Sequence, residues 1–143
     1  MVDIDIEYEG ELRARPKHRP SGVTLITDAP VDNHGKGESF SPTDLLATAL
    51  GTCMITVMGI AATKAGIELK GTRVHVKKMM TATPPRRVDR LVTEIDVPES
   101  VARTVNGEAR AMLREKAETC PVRLSLLAAI EVPLTIRWGE NAS

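Results

Sequence analysis

Cys53 and Cys120 are the two cysteines of this 143-residue chain, and their thiols are its most chemically distinctive groups. A cysteine reacts as the thiolate, so a reactive one needs a cation, a helix dipole or hydrogen-bond donors beside it. Cys53 lies inside the uncharged run from Leu45 to Thr63, with no cation within a helical turn. An activating arginine would have to arrive from another segment. The plainer reading is a small residue filling a core, a common place for a free cysteine. Cys120 stands directly before Pro121. Proline suits the first position of a helix, and the free backbone N–H groups there favour an anion. Cys120 reads equally well as filler for a corner between two helices. Were packed helices to bring the sulfurs together, peroxide would convert one to a sulfenic acid, and the other would condense with it to a disulfide.

Other chemistry has little support. The histidines are His18, His34 and His75, and no Cys-x-x-Cys or His-x-x-x-His spacing joins them to the cysteines. No metal is expected. The phosphate-cradling glycine motifs and the Gly-x-Ser-x-Gly elbow are absent, so no nucleotide cofactor or serine hydrolase is expected either. Arg13, Arg15 and Arg19 lie near the N-terminus and could serve a thiolate, although a basic cluster there is more often a solvated strand edge. Arg86 and Arg87 read as an exposed hairpin tip.

The elements that must position the thiols follow from periodicity. Val2, Ile4, Ile6 and Tyr8 alternate with acids, which predicts a strand with one wet face. Leu12 to Arg15 and Gly22 to Thr27 are expected as second and third strands, and Asp28 to Ser41 as a loop. A helix starts at Ser41: serine caps, Pro42 takes the first position, and Asp44 suits the positive end of the dipole. It carries apolar residues on nearly every face, which predicts burial all round. A membrane span is the rival for a run of this length. The abundance of Ala, Gly and Thr, and the neighbouring strands, favour a core helix instead. Arg73–Lys77 and Arg90–Val97 alternate across a Pro84–Arg87 turn, so they form a hairpin. A second helix opens at Pro98 and runs to Ala117, weakened by Gly107. Val122 to Ala129 is a short third helix. Val132 to Trp138 is a last strand, with Pro133 marking an edge or an end. Strands and helices without a strict alternation indicate an α+β fold.

Composition sets the class. Lys+Arg and Asp+Glu are 19 each, which gives no reason to expect a nucleic-acid or anionic-membrane partner. Aromatics are only 2%, too few to stack bases or sugars. The length suits a single domain over residues 1–143. The first residues lack a basic start and an apolar core, so no leader is read, and a reducing cytoplasm is expected.

The motifs also resemble a known family. Ser41-Pro42-Thr43-Asp44-Leu45-Leu46 followed by Ala49-Leu50-Gly51-Thr52-Cys53-Met54, and later Ala117-Glu118-Thr119-Cys120-Pro121-Val122, resemble the two cysteine signatures of the OsmC/Ohr hydroperoxide reductases. Asp28-Ala29-Pro30 and the Gly-rich run before Ser41 fit as well. The resemblance implies an OsmC-like α+β fold and an intertwined homodimer with active sites at the interface. It implies reduction of organic hydroperoxides and, less efficiently, hydrogen peroxide. Cys53 would attack the O–O bond, Cys120 would resolve, and a dithiol or lipoyl-type thiol would restore the pair. It assigns an N-terminal arginine to the thiolate, with Arg13 the best match and Arg15 next. One departure stands out: the organic-hydroperoxide branch has glutamate after the signature proline, where this chain has Thr43, with Asp44 one place later. Nine helical positions separate Asp44 from Cys53, or ~13 Å of rise at ~1.5 Å and ~100° each. Asp44 therefore acts across a dimer interface or only caps its helix. Two other readings stay open: a stress-associated binding protein of the same fold with little turnover, and a structural dimer with two inert thiols.

Overall fold

The computed structural model describes residues 1–139, which divide into two compact units meeting at Leu46/Ala47. The first holds a small antiparallel sheet. Strands β1 (Ile4–Gly10) and β2 (Arg13–His18) form a hairpin, with Ile6 opposite Pro16 and Tyr8 opposite Ala14. The expected third strand shrinks to β3 (Thr27–Asp28) and an isolated bridge between Lys17 and Thr24. Pro16 explains this correction. Leu25 N–H donates to its carbonyl at 3.2 Å, but proline has no N–H to return the bond, so the ladder is broken there. Cross-strand pairing puts Ile4, Ile6 and Tyr8 on one face of β1, and they are 59–69% exposed in the single chain. The opposite face is charged. Arg15 pairs with Glu9, and Arg19 pairs with Asp5 at 2.7 Å.

Helix α1 (Pro42–Lys64) starts where the capping residues predict. Ser41 Oγ accepts the Asp44 N–H at 3.1 Å, and the Asp44 carboxylate accepts the Ser41 N–H at 2.8 Å. This is a reciprocal capping box, with aspartate in the place more often held by glutamate. Within one chain the helix buries a stripe: Ala47, Leu50, Gly51, Met54, Met58 and Ala62. Thr52, Thr56 and Ile60 are exposed, so burial on every face is not reached in the single chain. By length and composition α1 could cross a membrane.

The second unit carries a mixed sheet in the order β4 (Arg73–Met80), β5 (Val88–Val97), β6 (Leu134–Trp138). The hairpin β4–β5 is antiparallel as expected, and β6 lies parallel to β5 at the edge, with Pro133 just before it. Alternate residues of β5 (Leu91, Thr93, Ile95 and Val97) are buried. Outward-facing Glu94 and Asp96 pair with Arg137 of β6, which holds both carboxyls below their ordinary range. The expected second helix is in fact two: α2 (Glu99–Ala102) and α3 (Gly107–Glu118). Asn106 divides them, because its side chain accepts the Ala109 N–H at 2.8 Å and caps a new helix. Arg110 closes the corner, donating to the Ala102 and Val105 carbonyls and stacking 5.0 Å from the Trp138 ring centroid. The short third helix, α4 (Pro121–Ser125), ends earlier than expected, at an extended Leu126.

Gly51 lets α1 lie close to β4. A Cβ there would stand 2.9 Å from Val76 Cγ2 and 3.3 Å from Val74 Cγ1. Valine is stiff at χ1, so its methyls yield poorly. Gly51→Ala should gain about 1 kcal/mol of helix propensity and lose about 1–3 kcal/mol to overpacking. A lower urea midpoint is expected; an unchanged or higher one would mean the valines give way.

Candidate functional site

The second unit brings the two cysteines together. Cys53 projects from the middle of α1 and is partly exposed. Cys120 is the N-cap of α4, just beyond the end of α3, and is fully buried. Both are free thiols, and Cys53 is near enough to be among the groups that raise the Cys120 pKa. Local sequence explains the placement of Cys120. Thr119 ends α3, Pro121 cannot continue it but fits the first position of α4, and Cys120 between them is extended, at φ −65° and ψ 148°. Its Sγ accepts the Arg123 N–H at 3.4 Å, the bond a serine oxygen usually accepts at an N-cap. Burial is the largest influence on this thiol and pushes its pKa up, while the Arg123 N–H works the other way. Cys120 thus keeps its proton at neutral pH. Of the pair, Cys53 is the residue partly exposed in the single chain and Cys120 the one with no exposure.

The first unit places Arg13 in a different cluster. Arg13 stands opposite Asp28 across β2 and β3, and its guanidinium pairs with Glu38 and lies 3.5 Å from Asp28. The hydrogen bond to Glu38 raises the guanidinium's pKa further above its ordinary value. Arg15 and Arg19 are committed to Glu9 and Asp5, so of the three candidate arginines only Arg13 joins this cluster. Sequence reasoning did not single out Asp28 and Glu38 as site residues. Asp28 had only the Asp-Ala-Pro turn as a signal, and an exposed loop glutamate has none.

Asp28 organises the loop that carries Glu38. Its carboxylate is 1% exposed and accepts the Glu38 N–H at 3.0 Å. Its own N–H donates to the Phe40 carbonyl, and the Gly37 N–H donates to the Ala29 carbonyl. The loop turns so tightly that a Cβ on Gly35 would lie 1.7 Å from the Ala29 oxygen. The Glu38 N–H is the main cause holding the Asp28 carboxyl below its usual range, with Arg13 adding to it and desolvation opposing. A depressed folded pKa gives stability that is present above the unfolded value of about 3.9 and is lost as pH falls through the folded value. Asp28→Asn should therefore lower the urea midpoint at pH 6, and its deficit against the parent should shrink by pH 3. A deficit equal at both pH values would mean the charge contributes nothing.

Comparison with known proteins identifies the family and the fold. The family model described as OsmC-like protein matches residues 35–135, which include both cysteines. No match is found among curated proteins. Among solved structures, a Psychrobacter arcticus protein assigned provisionally to osmotic stress and detoxification response is 40% identical over 96% of both chains, with a TM-score of 0.88. An organic hydroperoxide resistance protein of Legionella pneumophila is 17% identical, covers 95% of this chain and 96% of its own, and has a TM-score of 0.73. One from Elizabethkingia anophelis is 18% identical over 95% and 94%, with a TM-score of 0.71. These last two share the fold. The family match across most of the length, with a relative at 40% identity, makes this chain a member of the OsmC-like family.

Proposed function

We propose that this protein is a thiol peroxidase that reduces organic hydroperoxides and, less efficiently, hydrogen peroxide. The observation that carries the reading is the pairing of a partly exposed thiol, Cys53, with a buried one, Cys120. The Cys53 thiolate attacks the terminal oxygen of the hydroperoxide. The O–O bond breaks, the alcohol leaves after taking a proton, and Cys53 holds a sulfenic acid. Cys120 attacks that sulfur, water leaves, and a disulfide remains. A dithiol or lipoyl-type thiol then reduces it. On the family resemblance Arg13 supplies the cation that favours the Cys53 thiolate, and Asp44 fixes the start of the helix that carries Cys53. The setting we propose is the cytoplasm and the role is defence against oxidative stress. A second reading, a ligand-binding protein with little turnover, is favoured by Thr43, which stands where the hydroperoxide branch carries glutamate.

We further propose that the protein works as a homodimer. Two surfaces support this. Ile4, Ile6 and Tyr8 expose a row of large side chains on β1, and α1 leaves Thr52, Thr56 and Ile60 uncovered. An apolar patch like that of β1 is usual at contacts between chains.

Intact-mass analysis tests the chemistry. One equivalent of cumene hydroperoxide should remove two hydrogens from the reduced protein. Cys53→Ser should not react, and Cys120→Ser should add one oxygen as a trapped sulfenic acid. Unchanged mass in all three would favour the binding-protein reading. For the dimer, Ile6→Asp should halve the sedimenting mass; a parent that already sediments as a monomer would remove the proposal.

A further inference from the structure

Asn106 and Gly107 form the one Asn-Gly pair of the chain, and they stand at the junction of α2 and α3. Asparagine is a thermally labile residue, and a following glycine has no Cβ to keep its nitrogen away from the asparagine side-chain carbonyl carbon. Both residues are exposed. A Cβ built on Gly107 would meet nothing within 4 Å, so no neighbour blocks the approach. Gly107 is the first residue of α3, where a backbone N–H has no acceptor within the helix. The Ala109 N–H donates to Asn106 Oδ1 at 2.8 Å, so the oxygen that gains charge as the nitrogen adds already has a donor. We propose that Asn106 is a site of spontaneous modification, at which the folded protein loses ammonia and takes up water to become a mixture of aspartyl and isoaspartyl forms.

The Gly107 nitrogen bonds to Asn106 Cγ, the Cγ–Nδ2 bond breaks, and ammonia leaves with the proton from the Gly107 N–H. A cyclic imide remains. Water then adds to one of its two carbonyl carbons, and the carbon–nitrogen bond there opens. Opening at Cγ gives aspartate, and opening at the main-chain carbon gives isoaspartate. Nothing is oxidised or reduced. Asn106 is extended in the folded state, at ψ 171°, so closure requires the first turn of α3 to lift. Gly107 weakens that turn by about 1 kcal/mol relative to alanine, and α2 before it has only four residues to hold the corner. The two products differ in effect. An aspartate caps as well as asparagine and adds a negative charge at the positive end of the helix dipole. An isoaspartate routes the main chain through the former side chain, which removes the cap on Ala109 and lengthens the chain between Val105 and Gly107. Arg110, which donates to the Ala102 and Val105 carbonyls, then loses its register with them.

The test holds the folded full chain at physiological temperature and pH for several weeks, with Gly107→Ala and a urea-unfolded sample beside it. Peptide mapping by mass spectrometry then follows the exchange of amide for acid at each asparagine and separates the two isomers. Asn33 serves as the internal reference, since it is also exposed but precedes His34, whose Cβ crowds the attacking nitrogen. Asn106 should convert about tenfold faster than Asn33, and Gly107→Ala should slow it by about tenfold. Equal rates at the two asparagines, or a rate unmoved by Gly107→Ala, would overturn the inference. So would conversion in the unfolded sample alone, which would mean that the cap holds the ring open. The aged parent should also unfold at lower urea than fresh Asn106→Asp, which carries the charge without the altered main chain; equal midpoints would remove the loosening of the α2–α3 corner.

Discussion

The close approach of α1 to β4 at Gly51 is the contact on which the cysteine pair depends. A helix carrying a stripe of Leu50, Met54 and Met58 can bury it against a sheet only if something small stands at the nearest point. Gly51 is that point, and Val74 and Val76 fill the space a side chain would take. Cys53 lies two residues further on, so its position follows from this packing rather than from any local preference for a reactive thiol. Dense interiors transmit such constraints, because neither the helix nor the valines can move without opening a void.

Burial then gives the two thiols different characters. Cys120 occupies a corner that backbone chemistry creates: one helix ends, proline begins the next, and the residue between them must be extended and must satisfy a free N–H. A thiol there is held in place, dry and protonated. Cys53 belongs to a helix and is partly exposed in the single chain.

The charged cluster of the first unit follows a different logic. Asp28 is buried, yet the Glu38 N–H and Arg13 meet its Oδ2 and hold its pKa down, so it stays ionised and pins the loop that brings in Glu38. A carboxylate placed this way orders a long segment without a hydrophobic core of its own. It also leaves Arg13 bracketed by two acids, a stronger constraint than the solvated pairs of Arg15 and Arg19.

The order of elements was legible in the sequence. The capping box at Ser41 and Asp44, the β4–β5 alternation and the Cys120–Pro121 break each rest on interactions within a few residues, and those survive in any fold. Both cysteines could be identified as candidates because their motifs are local. The failures were also physical. Asn106 splits a helix that periodicity joined, because one side-chain cap outweighs a weak apolar pattern. Pro16 removes a single N–H and shortens the next strand, its neighbour in the sheet. What the sequence by itself determined was which residues could cap, turn, alternate and react. Only the tertiary structure decided that Cys53 and Cys120 are neighbours, that Cys120 is the buried one, and that Arg13 turns to Asp28 and Glu38. Those outcomes depend on contacts between segments far apart in the chain, and neither spacing nor residue type encodes which distant segments will meet.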